Sequence, residues 1–130
     1  MNPDAGTLES QTIKGGHPQL TASELVENLV DKTLLGDFAA LFKYIVAIDK
    51  NGNMEGKNNA GAHHFGKWSI DESNSTFTIW WDSGWVNTTN RAYNVDGKIK
   101  LFEIETGQWQ TTFTQITQGA QQPLILPDFQ

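Results

Sequence analysis

The chain has 130 residues and a mass of 14.5 kDa, one domain's worth of protein and enough to bury a core without staples. Nine Lys and Arg stand against fifteen Asp and Glu, a formal charge of −6, whereas a nucleic-acid module needs a basic face to displace counterions from phosphate. Cysteine is absent, which excludes disulfides, zinc–thiolate sites, iron–sulfur clusters and thiol nucleophiles.

Residues 1–19 carry Asn, Pro, Asp and Gly and almost nothing to bury, so a flexible lead-in is expected there. Residues 1–20 hold no apolar run of signal-peptide type. Either the protein stays in the cytoplasm where it is made, or a leader has been removed, Met1 is not native and the location is periplasmic or secreted. No stretch approaches the ~18 apolar residues a membrane helix needs, so no membrane span is expected.

At Thr21-Ala22-Ser23-Glu24 the sequence has a capping box, with Leu20 and Leu25 placed as a hydrophobic staple. Leu25 and Leu29, with Val26 and Val30, repeat at i, i+4 and predict one short amphipathic helix over 22–31. From Thr33 onward the pattern switches to period two, with turn signals about every ten residues. Strands are predicted at 33–35, 41–48, near Met54, and at 63–70, 76–81, 85–93, 98–104 and 109–117. Phe42, Tyr44, Val46 and Ile48 share one face, as do Phe77, Ile79 and Trp81. Asn51-Gly52, Asp82-Ser83-Gly84 and Asp96-Gly97 are hairpin signals. About eight strands joined by hairpins predict an antiparallel up-and-down barrel with one N-terminal helix at its end. Residues 118–130 read as a tail whose Leu124, Ile125, Leu126 and Phe129 dock on the barrel wall.

All five Trp fall within 68–109: Trp68, Trp80, Trp81, Trp85 and Trp109. They either fill the core and stiffen hairpins or supply a stacking platform for a ligand. One face of strand 85–93 reads Trp85, Asn87, Thr89, Arg91, Tyr93. Aromatic residues favour burial, so this face is expected inward, with Glu103 on a neighbouring strand pairing with Arg91. The alternate face, Val86, Thr88, Asn90 and Ala92, is small and polar and is the rival inward set. His63 and His64 are adjacent and point to opposite faces, so no metal site is expected. The Asp49–Glu55 run imitates a calcium loop, but Met54 occupies the position that needs Gly, so it reads as a hairpin.

The Leu20–Leu25 start, the Asp49-Lys50-Asn51-Gly52-Asn53 turn, Gly66-Lys67-Trp68-Ser69-Ile70-Asp71 and the Trp-rich strand after it resemble small bacterial lipocalin-like envelope proteins of unknown function. The resemblance spans about residues 20–117. It implies a calycin-type barrel and an envelope location, and no reaction. The functional expectation is a small hydrophobic or aromatic ligand held inside the barrel without a cofactor, in a monomer or homodimer. Trp68, Trp81, Trp85 and Trp109 would supply apolar contact, and Arg91, Tyr93, Asn87, Glu103 and Tyr44 would orient the ligand. Two rivals stand beside it. One is a barrel enzyme of cyclase or isomerase type with Tyr93 or Glu103 as acid or base; the other is an inhibitor- or immunity-type interaction module whose acidic surface meets a basic target.

Overall fold

The structure is a computed structural model that describes residues 4–39, 41–82, 85 and 87–129. The alternating segments form β1 (Lys32–Phe38), β2 (Phe42–Ile48), β3 (Asn53–Asn58), β4 (His63–Asp71), β5 (Thr76–Trp81), β6 (Thr88–Val95), β7 (Lys98–Glu103) and β8 (Trp109–Gln118). Each pairs antiparallel with the next, and β8 returns to β1, so the eight-stranded meander closes into a barrel. Closure removes the exposed sheet edges that would otherwise template aggregation. Turn chemistry sets the register where it was expected to. Asp96 and Gly97 both take positive φ, 53° and 87°, the geometry a two-residue hairpin between twisted strands requires. Asp49 closes the next hairpin type by accepting from the Asn51 and Asn53 amides at 2.8 and 2.9 Å. Ser83 and Gly84 of the predicted turn, Val86 of the rival face and Met1 lie outside the described residues.

The lower end of the barrel is stoppered by α2 (Ala22–Leu29), shorter than the predicted 22–31. The capping box forms: Thr21 Oγ1 accepts from the Glu24 amide and Glu24 Oε1 from the Thr21 amide, at 3.2 and 2.9 Å. Leu25 and Leu29 are fully buried and join Leu20, Leu34, Ile48, Met54 and Phe77 in the principal core. Val26, counted in the same stripe, is half exposed, because only one edge of the helix meets the barrel. Thr21→Ala should therefore lower stability by about 1 kcal/mol, the usual worth of an N-cap, in a urea titration. A change below about 0.3 kcal/mol would mean that packing of Leu25 and Leu29, and not the cap, holds the helix.

Three segments differ from expectation. The lead-in is not featureless: it contains α1 (Glu9–Lys14), with Glu9 and Thr12 buried on the outside of the barrel. Residues 18–20 then act as a partial strand on β6, where the Leu20 amide donates to Ala92 O at 2.8 Å and the Asn94 amide to Pro18 O at 3.0 Å. They fill a seam, since among the described residues β5 and β6 pair only through Phe77–Asn90, Thr78–Thr89 and Ile79–Thr88.

The second difference is the facing of β6. Ala92 belongs to the interior core, whereas Tyr93 packs with Phe102, Trp109 and Val95 in a separate cluster on the outer wall. The expected inward face is therefore the outward one from Thr89 onward. Burial of aromatics was the right physics applied to the wrong side, because this stretch of outer wall is itself covered. The third is the tail, where Leu124 docks against Ile45 and Ala47 while Ile125 and Leu126 stay exposed. Lys57 Nζ anchors the tail by donating to Leu124 O at 2.7 Å.

Candidate functional site

Above the α2 stopper the barrel interior is not filled. A cavity of about 200 Å³ remains, walled by inward residues of all the strands except β4 and by the turns at the upper rim. Its lower wall is aliphatic, with Leu34, Val46, Ile48 and Leu101, and its upper wall aromatic. Phe38 stacks on Phe42 at 5.3 Å between centroids, Phe42 on Trp85 at 5.7 Å, and Trp85 meets Trp81 edge-on at 4.6 Å. Offset and edge-to-face pairs of this kind hold one another in place, so the rim is a rigid aromatic arc. Leu41, 74% exposed, stands where the cavity reaches the rim.

Room for the two indoles comes from glycine. A Cβ on Gly56 of β3 would lie 2.7 Å from Trp85 Cζ3 and 2.8 Å from Trp81 Cη2. On Gly66 of β4 it would lie 2.9 Å from Trp81 Cε3 and closer still to the Trp80 carbonyl. Gly36 of β1 does the same for Tyr44, whose hydroxyl occupies the space a side chain would take.

No Asp, Glu, Lys, Arg or His is among the described residues lining the cavity; its polar members are Tyr44, Thr88, Asn90, Gln110 and Thr111. The Tyr44 hydroxyl bonds to Thr111 Oγ1, which donates to Asp37 O at 2.6 Å, so the chain runs from phenol to hydroxyl to carbonyl. Burial pushes the Tyr44 phenol well above the ordinary tyrosine range, the Asp37 charge adding to this and the Thr111 bond opposing it. It is a neutral hydrogen-bonding group, not a base. Asn90 is fully buried on the inward face of β6; its Nδ2 donates to Thr88 Oγ1 at 2.9 Å and to Phe77 O at 3.4 Å.

Of the residues singled out from the sequence, the cavity brings together Tyr44, Trp81 and Trp85. Trp68 lies below it in the core, stacked on Phe77 at 6.2 Å with Nε1 donating to Asp49 O. Asn87 sits beside the rim, where its Oδ1 accepts from the Trp81 amide at 2.7 Å. Arg91, Tyr93 and Trp109 are on the outer wall. Arg91 does not pair with Glu103. It forms an ion pair with Glu9 of α1, and Tyr93 donates to the same carboxylate at 2.6 Å. Glu103 instead closes the β7–β8 turn by accepting from the Glu105 and Thr106 amides. Trp109 Nε1 donates to Thr112 Oγ1 at 2.9 Å, and Thr112 in turn donates to Asp4, which pairs with Lys100. Tyr93, weighed as acid or base, thus faces away from the interior, and the carboxylate of Glu103, the other candidate, is taken up by its own turn. Phe38, Phe42 and Asn90 were missed: Phe38 lies beyond the predicted 33–35 strand, Phe42 was placed only on a shared face with Tyr44, and Asn90 stood on the rival face.

Fold and site together define a class: a closed eight-stranded antiparallel barrel, stoppered at one end by a helix, with an apolar cavity under an aromatic rim. No family model matches the chain, and no curated protein or solved structure matches it.

Proposed function

We propose that the barrel is a binding protein for one small, neutral, largely apolar molecule held in this cavity. The observation that carries it is the cavity's size and lining. An eight-stranded barrel either fills its interior with side chains or keeps just enough room for one ligand. This one keeps about 200 Å³. A dry engineered cavity of about 150 Å³ is enough to take up benzene, so the space suits a single ring with a substituent. The absence of charge in the described lining selects against ions, which an apolar wall cannot solvate.

Toluene and benzoate separate this reading from a merely imperfect core. Toluene at about a hundred times its dissociation constant adds about 2.7 kcal/mol of stability. For a chain of this length that raises the unfolding midpoint by on the order of 10 °C. Benzoate, the same size with a charge, is expected to do nothing. If toluene up to its solubility limit produces no saturable shift in the midpoint or in tryptophan fluorescence, the cavity is not a binding site.

A periplasmic or secreted location and kinship with lipocalin-like envelope barrels belong to the same proposal. The closed meander supports the second, and freedom from cysteine suits an oxidising compartment. Fractionation of the source cells tests the first; recovery wholly in the cytoplasm would overturn it.

A further inference from the structure

One polar atom in the cavity wall is out of keeping with the rest. Asn90 Oδ1 is, among the described residues, the one buried side-chain polar atom with no hydrogen-bond partner. The amide orientation is fixed by its other end. Nδ2 faces the Phe77 carbonyl and Thr88 Oγ1, and turning the amide over would bring two oxygen acceptors against each other at the Phe77 side. Of the other polar side chains in the wall, Tyr44 is bonded to Thr111, Thr111 donates to Asp37 O, and Thr88 accepts from Asn90 itself. An orphaned buried acceptor loses its bonds to water on folding and gains nothing in return, which costs the fold stability. Such groups in a native wall call for an explanation, and here Asn90 belongs to the wall of a cavity of ligand size, with Oδ1 itself beneath the wall's surface.

We infer that the cavity's ligand is a neutral hydrogen-bond donor, a small aromatic or cyclic molecule with one O–H or N–H, which donates to Asn90 Oδ1. This rests on the reading of the cavity as a ligand site and specifies the ligand's chemistry. The rings of Phe42, Trp81 and Trp85 take the apolar body, and Asn90 takes the proton-bearing end. Phenol-like and indole-like molecules have this form. A carboxylic acid or an amine ionised at neutral pH does not, since the lining offers no counter-charge. An ether or ketone of the same size brings a second acceptor and leaves Oδ1 unpaired.

Phenol and toluene are near-isosteres that differ in the donor, so the test compares their dissociation constants by calorimetry. A purely apolar cavity favours toluene, because phenol must shed water from its hydroxyl and regains nothing. Here phenol is expected to bind roughly tenfold tighter than toluene, the equivalent of one net hydrogen bond to an acceptor already desolvated. In Asn90→Leu the order should reverse, with toluene binding as well as before or better. Asn90→Ala serves as the second variant if the leucine does not fold.

The outcomes separate cleanly. Toluene binding the native protein as tightly as phenol, or more tightly, overturns the inference and leaves the binding function standing. Phenol keeping its advantage in the variants overturns the assignment to Asn90. Failure of both compounds to bind the native protein removes the binding function itself, and the inference with it.

Discussion

Gly56→Ala should abolish most ligand affinity while leaving the barrel folded. The added methyl meets Trp85 Cζ3 at 2.7 Å and Trp81 Cη2 at 2.8 Å, against the 3.5–4.0 Å of an ordinary carbon–carbon contact. The strand behind Gly56 is held in a closed ladder between β2 and β4, so the wall cannot retreat. The rings must move about 1 Å, and the open side for that movement is the cavity. Overpacking of this kind costs about 1–3 kcal/mol in a solid core. Here the empty space absorbs part of it, so the stability loss should fall at the low end. Binding should suffer more, because two indoles displaced into about 200 Å³ take the volume a ring would occupy. An affinity loss on the order of a hundredfold for toluene, about 2.7 kcal/mol, is expected by calorimetry. Unchanged affinity would mean that the indoles yield outward and do not form a rigid rim.

That glycine shows where sequence reading stops. Strand count, order and closure were legible, because period-two alternation and positive-φ hairpins are local signals, and an antiparallel meander needs no others. The residues that share a face on β2 and on β5 were legible for the same reason: Phe42, Tyr44, Val46 and Ile48, or Phe77, Ile79 and Trp81, recur at period two. Gly56 carried no such signal. In the sequence it belongs to a Gly- and Asn-rich stretch, and its contribution is the absence of a side chain opposite two indoles that arrive 25 and 29 residues later.

The facing of β6 failed for a more general reason. Alternation tells which residues share a face, not which face is inside, and hydrophobicity decides only when one side meets water. Both sides of β6 are covered. Outside, Tyr93 lies 3% exposed beneath α1 and against Phe102 at 5.7 Å, which gives the outer face the aromatic content of a core. Inside, the small residues Thr88 and Asn90 border the cavity, where larger side chains would have closed it. Their polarity and size, which argued for a solvent face, are what a barrel with an unfilled interior requires. The cover itself was unreadable, since its fastenings are distant in sequence: the carboxylate of Glu9, for one, stands 82 residues before its partner Arg91.

Glu9 is consequently where the outer wall is most sensitive, and Glu9→Ala should cost about 2–3 kcal/mol. Tyr93 loses the acceptor of its hydroxyl while remaining buried, which alone is worth about 1–3 kcal/mol. Arg91 keeps one side to solvent and can recruit water, so the ion pair adds less than a fully buried one would. The unfolding midpoint should fall by about 10 °C, and the amides of Gly15 and Gly16, which close the end of α1, should lose protection from hydrogen exchange. Ligand affinity should not change, because the cluster lies outside the cavity wall.

The effect should depend on pH in a defined sense. Burial acts to raise the Glu9 pKa, but the bonds from Arg91 and Tyr93 and the Arg91 charge outweigh it and hold the carboxyl below its ordinary 4.5. A depressed carboxylate stabilises the fold above its unfolded value and loses that contribution as pH falls through the folded one. Tyr93 is pushed up to about 12, first by burial and then by the bond to Glu9 and its charge. A raised phenol contributes fully below its ordinary value of 10.0, and the contribution is lost as pH climbs through about 12. The stability difference between native protein and Glu9→Ala should therefore be flat from about pH 5 to 9 and narrow on both sides. A gap that stays constant at pH 3 would show that the charge on Glu9 is not what fastens α1.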